Sequence, residues 1–447
     1  MGLGLFGGGA AAARYAAKQG AAVLLTDLRD EQTLAPALRE LRDVKCQLVL
    51  ERHREQDFSG ADVVIANPAV RPDNPYLETA RKNGVCITSE VALFLDAVQA
   101  PVVAITGTQG KSSTTHLLAQ LLGTEGRKVH LGGNIGRPLL GELESIQPED
   151  ICALELSSYQ LECLPSQWTR DVEQSPLTAA ALTNLFSDHL ERHVTRARYA
   201  QAKLQLFGLL APGGTAVLPM DPLPIEWTAR SHTQVIKTNG ARLRIESDSF
   251  RLDELRLGEV SQSPFHAPFQ QQNLLLALGL ASLAGVQASA LQSALHSLRG
   301  LPHRLDRFGE LDGRPLWDNL VSTTPDSTVS ALEALPPGQV LLLGGRVKDL
   351  DLTPLIEATS AREATPIIFG EARAKWPAAF RDAGIEVHEV ECPVKALELA
   401  RGVGGTGILI SPACSSFDAF PNFQARADAI LQRARELGAC ATDSTGS

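Results

Sequence analysis

The sequence predicts an α/β protein of three units in series, and three observations carry that expectation. A length of 447 residues spans two to four domains at roughly 100–200 residues each. Short apolar, β-rich runs alternate with helical stretches from end to end, the rhythm of βαβ units and parallel sheets. Where that rhythm restarts after Pro101, a glycine-rich turn lies directly between a strand run and a helix, which is how phosphate-binding sites are built.

Composition narrows the class. With 44% hydrophobic and 21% charged residues the chain can bury sizeable cores and is neither disordered nor fibrous. Lys and Arg number 41 against 51 Asp and Glu, a net charge of −10, which argues against a general affinity for nucleic acid or anionic membrane and leaves only local sites for a phosphorylated ligand. The seven cysteines are scattered without a CxxC pair, so neither a disulfide framework nor a zinc site is expected. Met1 is followed by a glycine-rich turn and not by a basic region and apolar core, and the apolar stretch Leu274–Val286 falls short of the roughly 20 residues a membrane span needs. A soluble, cytoplasmic protein is expected.

The first unit, residues 1–95, opens with a turn at Gly2–Gly9 and a helix at Ala10–Gln19. Strands are expected at Ala22–Thr26, Gln47–Leu50, Asp62–Ala66 and Val85–Thr88. Gly2-Leu-Gly4-Leu-Phe-Gly7 has the G-x-G-x-x-G form of a dinucleotide turn, with Asp27 about twenty residues on. That form needs a strand immediately upstream, yet only Met1 precedes it. The expectation is a start assigned about ten residues late, or a unit lacking its first strand. Taken alone, the turn and Asp27 equally suggest a nicotinamide cofactor.

The second unit, 96–298, carries the buried-strand run Val102–Thr106, a helix to about Leu122, and strands near Ile151–Leu156, Ala181–Asn184 and Thr215–Leu218. A polar helical stretch runs through Lys203, and one long helix is expected from Asn273 to about Leu298. The third unit, 299–447, begins at the turn Gly300-Leu-Pro-His303-Arg304. It alternates again, with strands at Val340–Leu343, Ile367–Phe369 and Gly407–Ser411 and a closing helix near Asp428–Leu437.

The strongest chemistry lies at Gly107-Thr108-Gln-Gly110-Lys111-Ser112-Ser113-Thr-Thr115. A strand, a tight glycine turn and a helix N-terminus point backbone N–H groups at an anion; Lys111 reaches the outer phosphates and the Ser112 hydroxyl suits Mg²⁺. Ile105 stands where the general P-loop has its first glycine, which disfavours a plain motor or switch NTPase. Glu155 and Asp188-His189 follow at strand ends, and a carboxylate beside a phosphate loop is where a Mg²⁺ ligand belongs.

These blocks occur in the order seen in the Mur ligases: the loop at Gly107–Thr115, Gly132-Gly-Asn-Ile-Gly136, Glu155-Leu-Ser-Ser-Tyr-Gln-Leu-Glu162, Asn184-x-x-x-Asp-His189, Tyr199-x-x-x-Lys203, His303-Arg304 and Ser411-Pro-Ala-Cys-Ser-Ser-Phe-Asp418. The chain resembles that family over nearly its whole length. The blocks at Glu155 and Ser411 are similar to those of its glutamate-adding branch. The resemblance implies a Rossmann-like N-terminal domain, a central P-loop ATPase with a parallel sheet, and a Rossmann-like C-terminal domain that closes with the amino acid. It implies a monomeric enzyme of peptidoglycan-precursor synthesis. Glutamate would be joined to UDP-N-acetylmuramoyl-L-alanine at the expense of ATP, with Mg²⁺ and through an acyl phosphate.

By the same resemblance, Lys111, Glu155, His189 and Lys203 form the catalytic set, and Ser112, Glu155, His189 and Lys203 the metal set, with Lys203 carbamoylated. Nucleotide binding falls to Gly107, Thr108, Gly110, Lys111, Ser112, Ser113, Asn273, Arg304 and Asp318. The UDP substrate falls to Leu5, Phe6, Asp27, Arg29, Asn134 and His189, and glutamate to Thr323, Lys348, Ser416 and Phe423. The family's Asp-Ser-Lys-Ala-Thr-Asn block reads Asn319-Leu-Val-Ser-Thr-Thr324 here, so Asn319 and Val321 replace an acid and a lysine; Asp318 and Arg346 are the candidates to compensate. Phe269-Gln270 stands where the family has His-Asn. The altered block leaves the L-glutamate-adding variant open. A folylpolyglutamate-synthase-like ligase shares the central unit without the first. The reading from another class is a non-catalytic nucleotide-binding protein, against which the intact Lys111, Glu155, His189 and Lys203 set speaks.

Overall fold

A computed structural model describes residues 1–440 other than Ser187, Lys348 and Asp349. The chain forms two compact units, Met1–Phe265 with Gln270–Arg299, and His266–Phe269 with the chain from Gly300 onward.

The first unit begins with two parallel pairs, β1 (Val23–Thr26) with β2 (Cys46–Val49) and β3 (Val63–Ile65) with β4 (Cys86–Thr88). The opening residues tie the pairs together. The Gly2 amide donates to the Thr26 carbonyl at 2.8 Å and the Met1 amino group to the Ile65 carbonyl at 2.9 Å. Among the described residues no strand lies between β1 and β3; the strand expected upstream of Met1 lies outside them.

The rest of the unit is organised by β5 (Val102–Thr106), β6 (Val129–Gly133), β7 (Ile151–Glu155), β8 (Leu177–Leu182), β9 (Thr215–Leu218) and β10 (Gln234–Lys237). They form one parallel sheet in the order β10-β9-β8-β5-β7-β6. All five residues of β5 are buried, because helices cover both faces of such a sheet. Val103 and Ile105 pack with Leu117, Leu118 and Leu274 on one face, while Val102 and Ala104 pack with Leu95, Leu154 and Phe207 on the other. Each such side chain contributes roughly 1.5–3 kcal/mol of burial, so the strand that carries the phosphate loop is anchored from both sides. An antiparallel meander, β11 (Leu243–Glu246), β12 (Ser249–Leu252) and β13 (Leu255–Glu259), adds Leu243 and Phe250 to the first of these cores.

The elements of this unit differ from expectation in three ways. The long helix expected at Asn273–Leu298 is two, Pro268–Leu283 and Ala288–Ala294. Gly285 adopts φ 97°, a left-handed turn that ends the first helix. The strand expected at Ala181–Asn184 runs earlier, Leu177–Leu182; beyond it the Thr183 amide still donates to the Thr106 carbonyl at 2.9 Å, while the Thr183 and Asn184 side chains bond the phosphate loop. The strands β6 and β10–β13 have no counterpart in the sequence reading. They are four or five residues long, too short for a periodicity to stand out.

The second unit holds β14 (Asp306–Leu311), β15 (Arg314–Asp318), β16 (Gln339–Gly344), β17 (Thr365–Phe369), β18 (His388–Glu389) and β19 (Gly407–Ile410). Their order is β14-β15-β19-β16-β17-β18, with the β14–β15 hairpin antiparallel and the remaining pairs parallel. The hairpin is absent from the sequence reading. The closing helix is longer than expected, Phe423–Glu436, with the Asn422 side chain accepting from the Ala425 amide as its N-terminal cap. All seven cysteines are free thiols, and no helix among the described residues is long and apolar enough to cross a membrane.

Candidate active site

The phosphate loop leaves β5 at Thr106 and enters the helix Lys111–Leu122. Gly107 and Gly110 are needed there: both have positive φ, 146° and 78°. A Cβ at the first would stand 1.9 Å from Thr183 Oγ1, and at the second 2.3 Å from Asn273 Oδ1. Thr183, Asn184 and Tyr199 hold the loop in place. The Gln109 amide donates to Asn184 Oδ1 at 2.9 Å, the Thr183 hydroxyl donates to the Gln109 carbonyl at 2.6 Å, and the Tyr199 hydroxyl donates to Thr108 Oγ1 at 3.1 Å. Lys111 Nζ curls back to the Thr108 carbonyl at 2.8 Å. Ser112 and Ser113 lie in the first helical turn, whose amides have no intrahelical acceptor and face the loop as an anion site. Asn273 reaches the same turn and accepts from Thr114 Oγ1 at 3.3 Å.

Glu155 ends β7, in register with Ile105 of β5. It is 1% exposed. Its Oε1 accepts from Asn134 Nδ2 at 2.8 Å, and its Oε2 is buried without a partner. An unpaired buried carboxylate oxygen costs several kcal/mol unless a cation meets it, so this oxygen beside a phosphate loop fits a hard divalent ion. No group of three His, Cys, Asp or Glu side chains gathers among the described residues. One carboxylate with a nearby hydroxyl is nevertheless the sort of site Mg²⁺ accepts, because it retains waters and substrate phosphates.

Lys203 and His189 approach from the other side of the loop. Lys203 Nζ is buried, donates to the Gly107 carbonyl at 2.7 Å and sits 4.6 Å from the centre of the Tyr199 ring. Burial, and next the charge of Lys111, pull its pKa down to about 7. His189 is exposed, with φ 51°, and its Nδ1 lies 3.3 Å from both Tyr159 Oη and Glu191 Oε1. Tyr199 joins the two, its ring 6.4 Å from that of His189.

In the N-terminal turn the structure gives Asp27 a specific task. Its Oδ2 accepts from the Leu3 and Gly4 amides at 2.8 and 3.4 Å, and its Oδ1 from the Arg29 amide and Nε, both at 3.0 Å. Burial opposes ionisation, but these bonds prevail and hold the carboxyl at about 2. Leu5 and Phe6, 45% and 95% exposed, are presented outward by the turn. A cleft of about 2090 Å³ runs from them to Asn134, Tyr159 and the partly buried Glu90. Glu90 accepts from the Leu140 amide, and burial pushes its carboxyl up to about 7.

In the second unit, His303 Nδ1 and Asp318 Oδ2 are 2.7 Å apart, and the hydrogen bond raises the His303 pKa. Asp318 is therefore already engaged. Arg304 stands between two left-handed residues, His303 (φ 66°) and Leu305 (φ 59°). Asn319 donates to Ser411 Oγ at 2.9 Å, and Arg346 lies 3.5 Å from Glu371, so that partner accompanies any role it takes with an anion. Ser416 is buried and Phe423 begins the last helix at 38% exposure. Thr323 precedes the helix Pro325–Ala334. Lys348 lies outside the described residues. Arg426, 1% exposed, donates to the Cys414 and Leu320 carbonyls at 3.1 and 3.3 Å and so binds two loops at strand ends together. The sequence reading assigned no role to Arg426, Tyr159 or Arg192: the last two lie on four-residue helices that carry no periodic pattern, and a charged residue buried on the long closing helix looks no different from a solvated one in sequence.

Comparison with known proteins agrees with this layout. The pattern of the Mur ligase middle domain matches residues 105–281, and that of the MurD-like Mur ligase N-terminal domain matches residues 1–89. UDP-N-acetylmuramoylalanine–D-glutamate ligase of Geotalea uraniireducens is 32% identical over 97% of this chain and 96% of its own length. The enzyme of the same name from Geobacter sp. strain M21 is 33% identical over 95% of each chain. Among solved structures, UDP-N-acetylmuramate-alanine ligase MurC of Thermotoga maritima has the same fold, with TM-score 0.60 and 19% identity over 97% of this chain and 98% of its own.

Proposed function

Because the chain belongs to the Mur ligase family, we propose that it joins D-glutamate to UDP-N-acetylmuramoyl-L-alanine in peptidoglycan-precursor synthesis, as a monomeric cytoplasmic enzyme whose residues 1–95 hold UDP. The observation that carries the reading is that the strand leading into the Lys111 phosphate loop lies beside the strand whose end carries Glu155, with Oε2 buried and partnerless. ATP phosphorylates the L-alanyl carboxylate, which otherwise lacks a leaving group. ADP departs in that transfer; the glutamate amine then attacks the acyl phosphate, and the tetrahedral intermediate loses the amine's proton and expels phosphate to give the amide.

Each step gathers negative charge, and this chain supplies the opposing groups. The helix N-terminus at Lys111 receives the nucleotide phosphates, and Lys111 moves from the Thr108 carbonyl to the β and γ phosphates. Asn134 orients Glu155. Ser112 and Glu155 would hold Mg²⁺, and His189 with a carbamoylated Lys203 would hold a second ion; a metal bound there would neutralise phosphate charge. Lys203 suits that modification because an amine with a pKa near 7 is substantially neutral, and only a neutral amine takes up carbon dioxide. The cleft from Leu5 and Phe6 to Asn134 suits a long ligand with uridine at one end and a carboxylate at the other. Asp27 shapes the turn for the diphosphate end, and Arg29 brings a cation to it. In the second unit, Arg304 and Asp318 serve the nucleotide, and Thr323, Lys348, Ser416 and Phe423 serve glutamate.

The test supplies UDP-N-acetylmuramoyl-L-alanine, ATP and Mg²⁺ with D- or L-glutamate in separate reactions, and follows phosphate release and product mass. Turnover with D-glutamate is expected. Absence of turnover with either isomer overturns the ligase reading, and turnover with L-glutamate alone overturns its stereochemistry.

A further inference from the structure

Arg192 lies between exposed and buried surroundings: its neighbour Glu191 faces solvent, while its own exposure is 7%. Burying a guanidinium costs several kcal/mol, so its partners indicate what it holds. Nε donates to Glu162 Oε2 at 2.8 Å, and Nη1 and Nη2 donate to the Ala69 and Val70 carbonyls, both at 3.1 Å. The guanidinium carbon also lies 4.3 Å from the centre of the Tyr159 ring. This uses the rigid fork of donors and the aromatic stacking that lysine lacks.

The partners belong to two different sites. Ala69 and Val70 lie in the loop after β3, whose Asn67 amide donates to the Met1 carbonyl at the base of the glycine turn. On the other side, Tyr159 bonds His189 Nδ1 at 3.3 Å and Glu191 at 3.2 Å. The backbone between His189 and Val194 has no strong preference for its own shape. The helix Leu190–His193 is four residues long and is bounded by His189 at φ 51° and the β-branched Val194 at φ 67°, a conformation such residues rarely adopt. Tertiary contacts must hold it. Arg192 supplies two of those that cross to the N-terminal loop, and Arg71 Nη1 of that loop donates to the Glu191 carbonyl at 3.4 Å.

We propose that Arg192 is a positioning residue that sets the His189–Tyr159 pair at a fixed distance from the glycine turn, keeping the two ends of the UDP-muramoyl substrate in register with the phosphate loop. The substrate named here rests on the function proposed above. UDP alone engages the N-terminal turn with Asp27 and Arg29, and ADP the phosphate loop with the other nucleotide residues; neither spans both sites, so neither needs the register, whereas the complete substrate does.

The experiment compares the full chain with R192K and R192M. Four quantities are measured: melting temperature, Kd for UDP and for ADP with Mg²⁺, steady-state kinetics, and deuterium exchange at the Asn67, Ala69 and Val70 amides of segment 67–70. In R192K, both Kd values stay within about twofold, while kcat/KM for UDP-N-acetylmuramoyl-L-alanine falls about tenfold to a hundredfold. Exchange at 67–70 accelerates, and R192M shows the same effects more strongly. Unchanged kcat/KM in R192K overturns the proposal. So does a parallel loss of UDP affinity, ADP affinity and melting temperature, which marks a merely structural residue. If R192M does not fold, R192K decides. If the unaltered protein shows no turnover, the functional reading fails, and Arg192 is judged by exchange alone: faster exchange at 67–70 supports it and unchanged exchange overturns it.

Discussion

Asn134 Nδ2 donates to Glu155 Oε1 at 2.8 Å, and the other oxygen of that carboxylate is buried with nothing to meet it. The asparagine thus fixes which oxygen faces the phosphate loop. Replacing Glu155 by Gln keeps the size and the acceptor for Asn134 but removes the charge. The expected outcome for E155Q is a loss of about 10²–10³ in kcat, with the Mg²⁺ dependence of ADP binding abolished and the melting temperature unchanged or raised. Phosphate-release kinetics and calorimetric ADP titrations with and without Mg²⁺ check it.

Gly110 carries a different constraint. At φ 78° any side chain is strained, and a Cβ there meets Asn273 Oδ1 at 2.3 Å. Gly110→Ala costs about 1–2 kcal/mol in backbone conformation alone, spent where the nucleotide binds. ADP affinity is expected to fall about tenfold or more, with UDP affinity unaffected. Parallel titrations of the two nucleotides distinguish this from general unfolding.

Asp27 ties the glycine turn through a carboxyl held at about 2. Its folded pKa lies below the ordinary carboxylate value, so its stabilisation is present above pH 4 and is lost as pH falls toward 2. D27N is therefore expected to lose about 2 kcal/mol at pH 7, with the gap to the parent closing below pH 4. UDP affinity falls as well. Urea unfolding at several pH values measures the first effect, and calorimetry the second.

Glu90 has the opposite sign. Burial pushes its carboxyl up to about 7, so the folded state favours the proton. The parent is expected to lose stability as pH rises from 5 to 8, whereas E90Q, which mimics the protonated form and keeps an acceptor for the Leu140 amide, does not. E90Q should exceed the parent by about 2 kcal/mol at pH 8 and match it at pH 5. Equal pH dependence of the two unfolding curves contradicts this.

Several features of the fold and site were legible because they are local. The run Val102–Thr106 and the Gly107–Thr115 loop announce themselves, since a β-branched strand, two glycines and a lysine at a helix start are a contiguous pattern with one physical reading. The strand end carrying Glu155 is legible for the same reason, whereas the Asp188-His189 pair, expected at a strand end, lies beyond β8 with His189 capping the helix Leu190–His193. The single long helix expected from Asn273 was wrong because Gly285 alone does not break an apolar run on paper, whereas its φ of 97° does so in the fold.

The sequence by itself determined the alternation of strands and helices, the phosphate loop and the family. These depend on residues within a dozen positions of one another. Tertiary structure alone decided that Asp27 is engaged by the Leu3 and Gly4 amides, that one oxygen of Glu155 is buried without a partner, that Lys203 lies against the Gly107 carbonyl, and that Arg192 reaches residues 69 and 70. Charge state and orientation follow from burial and from partners brought together across the chain. Those partners have no sequence spacing to reveal them.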